Sequence, residues 1–425
     1  MRKAVFTICA KNYIGLAQIL EKSIKVHDDT LEFFIFIADE FGAAAGFSDL
    51  PGRTLIARNV LGIPERQWYE MAFKYDITEF CTSIKPSAFN YLFDVLNFDE
   101  VIYFDPDVYV FSSLDSIWTL LKKFKIIVTP HILTIEDQFT GSRTETGIMS
   151  TGIYNLGFLA LARSESASKL LSWWSLRVFH QCFIDNDNSL FTDQKWMDFL
   201  SCYFESNVLH VSGHLGMNVA PWNFHEREVV LEEDKYLIKN RTCVESDTSS
   251  ELVFAHFSGY DYSQLKTGKV IHKNISSNKE YDDILMLAMY YSDVLRDNSD
   301  ILNKYLNLQY TYDFFENGIR IMLFHRRIFR SMINKGMVFD NPFDTTNDSL
   351  YYKLARARLI EYGSVNFDKI TKGDLNNFSF KLRVANRVFF WIFRLIGFQN
   401  YVLILKLFKY FSRYEAHHHL VDRKF

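Results

Sequence analysis

Over residues 1–130, short apolar strand patterns alternate with helical patterns, and this alternation is the feature that most constrains the fold. The run AVFTICA is followed by YIGLAQILEKSIKVH, whose apolar residues recur at helical spacing, and then by EFFIFIAD. Further along, a helical segment precedes the strand-like runs EVIYFDPDVYVF and KIIVTPH. Alternation of this kind indicates βαβ units and a mostly parallel sheet. We therefore predict an α/β, Rossmann-like fold for this part of the chain.

The pattern changes near residue 275. Before it, STGIYNLGFLALA and the helical run after it repeat the order of strand then helix, whereas from about Glu280 long helical patterns such as YDDILMLAMYYSDVLRD prevail. A chain of 425 residues is long enough for two or three domains. We predict an α/β catalytic domain over 1–275 and a helical C-terminal region over 276–425.

The cysteines and the N-terminus bear on the compartment. Five cysteines are scattered along the chain and none has C-x-x-C spacing, which argues against a disulfide framework or a zinc cluster and is typical of a reducing cytoplasm. The segment MRKAVFTICAKNYIG lacks the long apolar region and cleavage site of a signal peptide. No stretch has about 18 uninterrupted apolar residues, so no transmembrane helix is predicted. We expect a cytoplasmic protein.

Two carboxylates, Asp105 and Asp107, interrupt the apolar run VIYFDPDVYVF. Burying them there costs free energy unless a partner compensates the charge. Side chains two residues apart in an extended segment point to the same side, so both can face one cation. Mg²⁺ and Mn²⁺ prefer oxygen ligands and commonly bridge to a substrate diphosphate. The alternative is an ordinary turn after a strand, but the carboxyl end of an α/β strand is where ligands bind.

Six motifs stand in one order along residues 4–262: TICAKNYIGLAQILEKSI, the stretch from KPSAFNYLF through FDPDVYVF to SSLDSIW, TGIYNLGFLAL, FTDQKWMDFL, GMNVAPWNFHER and FAHFSGYD. In content and order they resemble the family-8 type of retaining glycosyltransferases, which have the GT-A fold. One feature departs from that family. Its usual Lys-Pro-Trp after the His-x-x-Gly is missing, and this chain has YDYSQLKTGK instead.

The resemblance implies roles for particular residues. The implied metal ligands are Asp105, Asp107 and His256. The implied catalytic residues, which touch the sugar or the acceptor, are Asn155, Asp193 and Gln194. The implied donor-binding residues are Thr7, Ala10, Tyr13, Lys85, Asp105, Gly157 and Lys266, with Lys269 as the alternative to Lys266. Each residue also has an ordinary structural interpretation: Asp193, for example, can be the first acid of a helix capped by Thr192.

The implied activity is that of a hexosyltransferase-type glycosyltransferase. It would hold Mn²⁺ or Mg²⁺, use a nucleotide-sugar donor, most simply a UDP-sugar, and modify a glycan or lipid-linked acceptor with retention of configuration in bacterial surface polysaccharide synthesis. One alternative is a non-catalytic, membrane-associated glycan-binding protein with a degenerate GT-A fold. Another is a sugar nucleotidyltransferase, although that class usually has a glycine-rich loop after the first strand, and CAKNYIG contains one glycine.

The segment 381–414 is basic and aromatic. From Lys381 to Phe425 there are nine Lys/Arg and two acids, although the whole chain has a net charge of −4. Lys406, Lys409 and Arg413 recur at helical spacing between apolar residues. This pattern predicts amphipathic helices that lie on the cytoplasmic face of an anionic membrane. The alternative is a helical pair that packs on the catalytic domain or on another subunit. No nucleic-acid partner is expected, because the rest of the chain is acidic and has no such motif.

Overall fold

The computed structural model describes residues 1–41, 50–135, 143–242, 249–272, 281–363, 368 and 377–422. Of the five cysteines, Cys243 lies outside the described residues. The chain divides into two compact units, the first formed by residues 1–63 and 78–311 and the second by 64–77 and 312–425. The boundary predicted near residue 275 therefore falls inside the first unit.

The strands are β1 (Lys3–Cys9), β2 (Glu32–Ile37), β3 (Arg53–Ile56), β4 (Glu100–Phe104), β5 (Val108–Val110), β6 (Ile126–Val128), β7 (Phe158–Ala162), β8 (Ile184–Asp185), β9 (Leu190–Phe191), β10 (Leu209–Val211), β11 (Met217–Val219), β12 (Arg227–Glu232), β13 (Lys235–Asn240), β14 (Ser250–Glu251) and β15 (Phe254–His256).

The helices are α1 (Ile14–Lys25), α2 (Ala57–Val60), α3 (Glu65–Lys74), α4 (Ile77–Ser83), α5 (Lys85–Asn90), α6 (Asp115–Lys123), α7 (Arg143–Thr151), α8 (Glu165–Gln181), α9 (Leu200–Tyr203), α10 (Tyr262–Leu265), α11 (Asp282–Asp297), α12 (Ser299–Tyr305), α13 (Leu323–Asn334), α14 (Leu350–Arg356), α15 (Phe378–Phe411) and α16 (His419–Asp422). A π-helical turn, Tyr91–Val95, continues α5, and a 3₁₀-helix spans Gln194–Phe199.

A seven-stranded sheet with the order β10-β6-β7-β4-β1-β2-β3 forms the centre of the first unit. The pairs β1–β2, β2–β3, β1–β4 and β10–β6 are parallel, and β7 runs antiparallel to both of its neighbours. The half β3-β2-β1-β4 has the strand order of a Rossmann fold. The predicted fold class, an α/β unit with a mostly parallel sheet and a helical C-terminal region, is confirmed.

The core explains why helices α11 and α12 belong to the first unit. Leu16 and Ile19 of α1 share a buried apolar cluster with Leu287 and Tyr291 of α11 and with Leu302 of α12. These helices therefore bury their apolar faces on the sheet unit, because a helix with an apolar stripe must bury it against another element. A sequence pattern identifies such a stripe but not the element that covers it.

A small sheet with the order β11-β15-β5 lies where β4 ends. Strands β5 and β15 are antiparallel, and Val108 lies opposite His256. This pairing places two segments of the chain that are about 150 residues apart side by side, and it brings the predicted third metal ligand to the predicted first two.

The second unit packs around aromatic residues. The ring of Phe73 lies 5.7 Å from Phe315, 4.8 Å from Phe329 and 5.1 Å from Phe343. The buried guanidinium of Arg326 donates to the backbone carbonyls of Ala72, Phe73 and Tyr75, at 3.1, 2.8 and 2.7 Å. These contacts join the 64–77 segment to α13 and to turns around Phe315 and Phe343, about 240–270 residues later in the chain.

Within the described residues, α15 is the one helix that is long and apolar enough to cross a membrane, judged by length and composition alone. The sequence predicts none, because Arg394 and Lys406 interrupt its apolar runs. An 18-residue window of α15 nevertheless has a mean hydropathy of 1.7.

Candidate metal and donor site

Asp105 and Asp107 belong to a turn that follows the buried strand β4. β4 ends at Phe104, β5 begins at Val108, and the amide of Val108 donates to the carbonyl of Asp105 at 3.1 Å. The segment is thus a turn and not the extended strand assumed from sequence. The two carboxylates nevertheless converge, because the turn brings its two ends together and β15 holds the far end.

Asp105, Asp107 and His256 form a cluster whose ligand atoms all lie within 4.8 Å of one another. The Nε2 atom of His256 is 3.0 Å from Asp107 Oδ1 and 3.7 Å from Asp105 Oδ2. His256 is buried, whereas the Asp105 side chain is 29% exposed, so the cluster is open on the carboxylate side. Two carboxylates and one imidazole suit Mn²⁺, and less well Mg²⁺. These residues fit a divalent cation, with one side left for a substrate.

Two tyrosines support the carboxylates. The Tyr103 hydroxyl donates to Asp105, and the Tyr262 hydroxyl lies 2.9 Å from Asp107 Oδ2 and 2.7 Å from the carbonyl of Phe257. Burial raises the pKa of Asp107, but His256 and Tyr262 outweigh burial and hold this pKa below its ordinary value. Asp107 is therefore ionised, as a metal ligand must be.

Lys85 is a buried cation beside this cluster. Its Nζ lies 3.1 Å from Asp193 Oδ2 and 3.8 Å from Asp105 Oδ1 and donates to the carbonyl of Leu156 at 3.0 Å. It also lies 4.5 Å from the centre of the Tyr103 ring. Burial lowers the pKa of Lys85, but Asp193 and Asp105 raise it above its ordinary value, so the amine stays charged. The cation expected from sequence on the donor side is therefore a buried positive charge next to the Asp105–Asp107–His256 cluster.

Asn155 and Gln194 take part in a buried amide network. The Oδ1 atom of Asn155 accepts from the amide of Gly157 at 3.0 Å and from Asn218 Nδ2 at 3.1 Å. The Oε1 atom of Gln194 accepts from the amide of Leu156 at 3.1 Å, and its Nε2 donates to the carbonyl of Thr151 at 2.9 Å. These bonds fix both side chains, so the walls they form are rigid.

A cavity of about 760 Å³ opens beside the cluster, a size typical of small-molecule sites. Seven of the residues singled out from sequence line it: Lys85, Asp105, Asn155, Gly157, Asp193, Gln194 and His256. His131, Trp222 and His225 also line it. Glu226 and Arg227, which follow His225 in the chain, are not among the lining residues. Glu226 accepts from the amides of Leu133 and Thr134, and Arg227 donates to the carbonyls of Leu215 and Met217.

The remaining predicted residues lie outside the residues that line the cavity. Thr7 is buried within β1 and Ala10 directly after it. The ring of Tyr13 lies 5.9 Å from that of Tyr262, the tyrosine that contacts Asp107. Lys266 points to α12, where its Nζ donates to Asn303 Oδ1 at 2.5 Å.

Sequence reasoning did not identify Tyr103, Tyr262 or His131. Tyr262 stands in the YDYSQLKTGK segment that departs from the family pattern, which is the one available signal for it. Tyr103 and His131 stand among apolar residues, where an aromatic side chain is ordinarily read as core.

Gly157 leaves the space that the His256 ring occupies. A methyl group at this position would lie 2.3 Å from His256 Cε1 and 2.6 Å from His256 Nδ1. We expect Gly157→Ala to displace the imidazole and to weaken Mn²⁺ binding about tenfold or more, in line with the cost of disturbing a metal-site neighbour. Calorimetric titration with Mn²⁺ measures this. Gly213→Ala is the matched control, because a methyl group there meets nothing within 4 Å; equal affinities in both variants would show that the glycine does not serve the histidine.

His131 makes stability depend on pH. Burial lowers its pKa from 6.5 to about 4, so the folded protein keeps it neutral while the unfolded chain protonates it between these values. The unfolded state then binds more protons, and the free energy of unfolding falls as pH drops from 6.5 to 4, by about 3 kcal/mol from this residue. Urea unfolding across this range should show a shallower pH slope for His131→Gln than for wild type. A His131→Gln slope equal to that of wild type would show that this imidazole does not contribute to the pH dependence.

Comparison with known proteins gives the following likenesses. No protein-family model matches the chain. It is 24% identical over 277 residues, 64% of this chain and 86% of the other, to the uncharacterized protein YfnF of Bacillus subtilis (strain 168). Three solved structures are similar to it. The galactosyltransferase LgtC, in complex with donor and acceptor sugar analogues, has a TM-score of 0.39 and 15% identity, covering 72% of this chain and 97% of that one.

The other two are mouse xyloside xylosyltransferase 1 and the glycosyltransferase GlyE of Streptococcus pneumoniae TIGR4. The first has a TM-score of 0.35 and 12% identity, covering 60% of this chain and 97% of that one. The second has a TM-score of 0.35 and 13% identity, covering 74% of this chain and 67% of that one. Likenesses this distant do not assign an activity, so the site itself carries the functional proposal.

Proposed function

We propose that this protein is a metal-dependent glycosyltransferase with a nucleotide-sugar donor. The observation that carries the proposal is the convergence of Asp105, Asp107 and His256 with the charged Lys85 at one side of the cavity. A leaving nucleotide diphosphate needs positive charge where its own negative charge grows. A metal-binding cluster and a lysine next to it are suited to that need. The named glycosyltransferases among the similar structures agree with this reading.

Different residues of the site would have different roles in the proposed reaction. Asp105, Asp107 and His256 would hold a divalent cation, which supplies charge neutralisation for the donor diphosphate when bound. Lys85 keeps its proton and adds a fixed positive charge beside Asp105. Asn155 and Gln194, held by backbone groups, give the sugar side of the cavity a fixed shape. Fixed dipoles and charges need no reorganisation during reaction, which is the main source of their catalytic value.

The finer proposals concern substrate and stereochemistry. We propose a UDP-hexose donor, a glycan or lipid-linked oligosaccharide acceptor of a bacterial surface polysaccharide, and retention of the anomeric configuration. The motif order and the Asp-x-Asp support them. With retention, a dedicated general base is unnecessary, because the leaving diphosphate can accept the proton of the attacking hydroxyl. The anomeric configuration of the product, read by NMR, tests this point separately.

Donor hydrolysis tests the proposed activity. The protein is incubated with a panel of nucleotide sugars and Mn²⁺, Mg²⁺ or EDTA, and nucleotide release is measured. We expect release from one donor with metal and none with EDTA. If no donor is hydrolysed and calorimetry shows no binding of free nucleotides with metal, the proposal fails in favour of a glycan-binding protein. Formation of a nucleotide sugar from a sugar phosphate and a nucleoside triphosphate, without donor hydrolysis, would instead identify a nucleotidyltransferase.

A further inference from the structure

Helix α15 consists of two arms that fold back on each other. Gly397 has φ 75° and ψ 172°, a conformation open essentially to glycine alone. The ring of Phe389 lies 5.9 Å from that of Phe408, and the ring of Phe393 lies 5.4 Å from that of Tyr401. In one continuous helix Phe389 and Phe408 would be about 28 Å apart. Residues 378–411 therefore form a helical hairpin, called here the C-terminal hairpin, with its tip at Gly397.

The C-terminal hairpin exposes large apolar side chains. None of its residues is buried, and near the tip Trp391, Leu395 and Phe398 are 63%, 81% and 71% exposed. Further exposed apolar residues on both arms are Phe380, Leu382, Val384, Val388, Phe390, Leu403, Leu405, Leu407, Phe408 and Tyr410. An exposed apolar surface of this extent marks an interaction site.

The charges of the hairpin indicate what covers this surface. Arg394 is the one charged residue between 388 and 405, so the half of the hairpin that contains the tip is nearly uncharged. The open end has the basic residues Lys381, Arg383, Lys409 and Arg413, and residues 377–414 contain no acid. An apolar tip below a belt of basic residues complements a membrane, whose hydrocarbon lies under anionic headgroups.

We propose that the C-terminal hairpin inserts tip first into one leaflet of an anionic membrane and returns to the same side. The arm 398–411 is about 20 Å long, too short to cross about 30 Å of hydrocarbon, and the chain reverses at Gly397. The hairpin therefore enters the membrane without spanning it. This differs from helices that lie flat in the interface, as predicted from sequence, because the ring contacts hold the two arms together.

Vesicle flotation with the full chain tests the proposal. The vesicles are phosphatidylcholine with or without phosphatidylglycerol. We expect wild type to float with the anionic vesicles and Leu395→Glu/Phe398→Glu to stay at the bottom of the gradient. Lys406→Glu/Lys409→Glu should weaken binding about tenfold or more, since each basic residue near an anionic surface contributes measurably. Lys122→Glu/Lys123→Glu, at the exposed end of α6, is the matched control and should float like wild type.

A second readout uses a conservative change. Brominated lipid should quench the emission of Trp391, and Trp391→Phe should lose that part of the quenching while circular dichroism shows an unchanged fold. The proposal is overturned if wild type does not float with anionic vesicles, or if the Leu395→Glu/Phe398→Glu protein floats as well as wild type. It is equally overturned if this variant changes only the oligomeric state seen by light scattering, since a second copy would then cover the hairpin. Donor hydrolysis is measured independently, so neither result depends on the proposed activity.

Discussion

Replacing Asp107 by asparagine is expected to lower metal-dependent nucleotide release by about 10²–10³-fold, because it removes one of two anionic ligands from the cluster. Asparagine keeps the size of the side chain and the contact with Tyr262, so the fold should persist. The loss should appear together with weaker Mn²⁺ binding, and raising the Mn²⁺ concentration should restore part of the rate. Initial rates over a Mn²⁺ series and calorimetric titration measure both effects.

Asp187→Asn is the matched control for this change, since Asp187 is exposed and belongs neither to the cluster nor to the residues that line the cavity. It should keep wild-type rates and Mn²⁺ affinity. Wild-type turnover and metal dependence in Asp107→Asn would remove Asp107 from the metal site and, with it, the main support for the proposed activity.

Replacing Lys85 by methionine is expected to destabilise the protein by about 3–5 kcal/mol, because the buried carboxylate of Asp193 loses its cation. Urea unfolding should show this as a lower midpoint. Activity should also fall, since the charge next to Asp105 is lost. The double variant Lys85→Met/Asp193→Leu should recover part of the stability but not the activity, which separates the structural effect from the catalytic one.

Lys169→Met, on the exposed face of α8, is the control and should leave the unfolding midpoint near that of wild type. If Lys85→Met changes the midpoint no more than Lys169→Met does, the Lys85–Asp193 pair does not contribute to stability.

The α/β fold class could be predicted because its evidence is local. Each strand of the central sheet, such as β1, β2 and β4, is a short apolar run, and each intervening helix has its own apolar period. The boundaries of the units could not be predicted in the same way. The second unit includes the 64–77 segment because Arg326 and Phe73 join it to later helices, and no local pattern reveals such partners.

The cluster of Asp105, Asp107 and His256 could be predicted because these residues stand in motifs that follow a recognisable order along the chain. The residues that support the cluster could not be predicted in this way. Tyr262 matters because its hydroxyl contacts Asp107, and Gly157 because a larger residue would collide with the His256 ring. These contacts join segments that are distant in the chain, so no periodic pattern in the sequence indicates them.

The sequence by itself determined that strands and helices alternate over residues 1–130, which residues place charge at the end of an apolar strand, and that the tail is basic and apolar. Only the tertiary structure decided that β15 lies against β5 so that His256 meets Asp105 and Asp107, that Lys85 faces Asp193, and that α15 turns back at Gly397. The physical reason is that local backbone preference and apolar periodicity are set by neighbours in the chain, whereas close packing selects which distant surfaces meet.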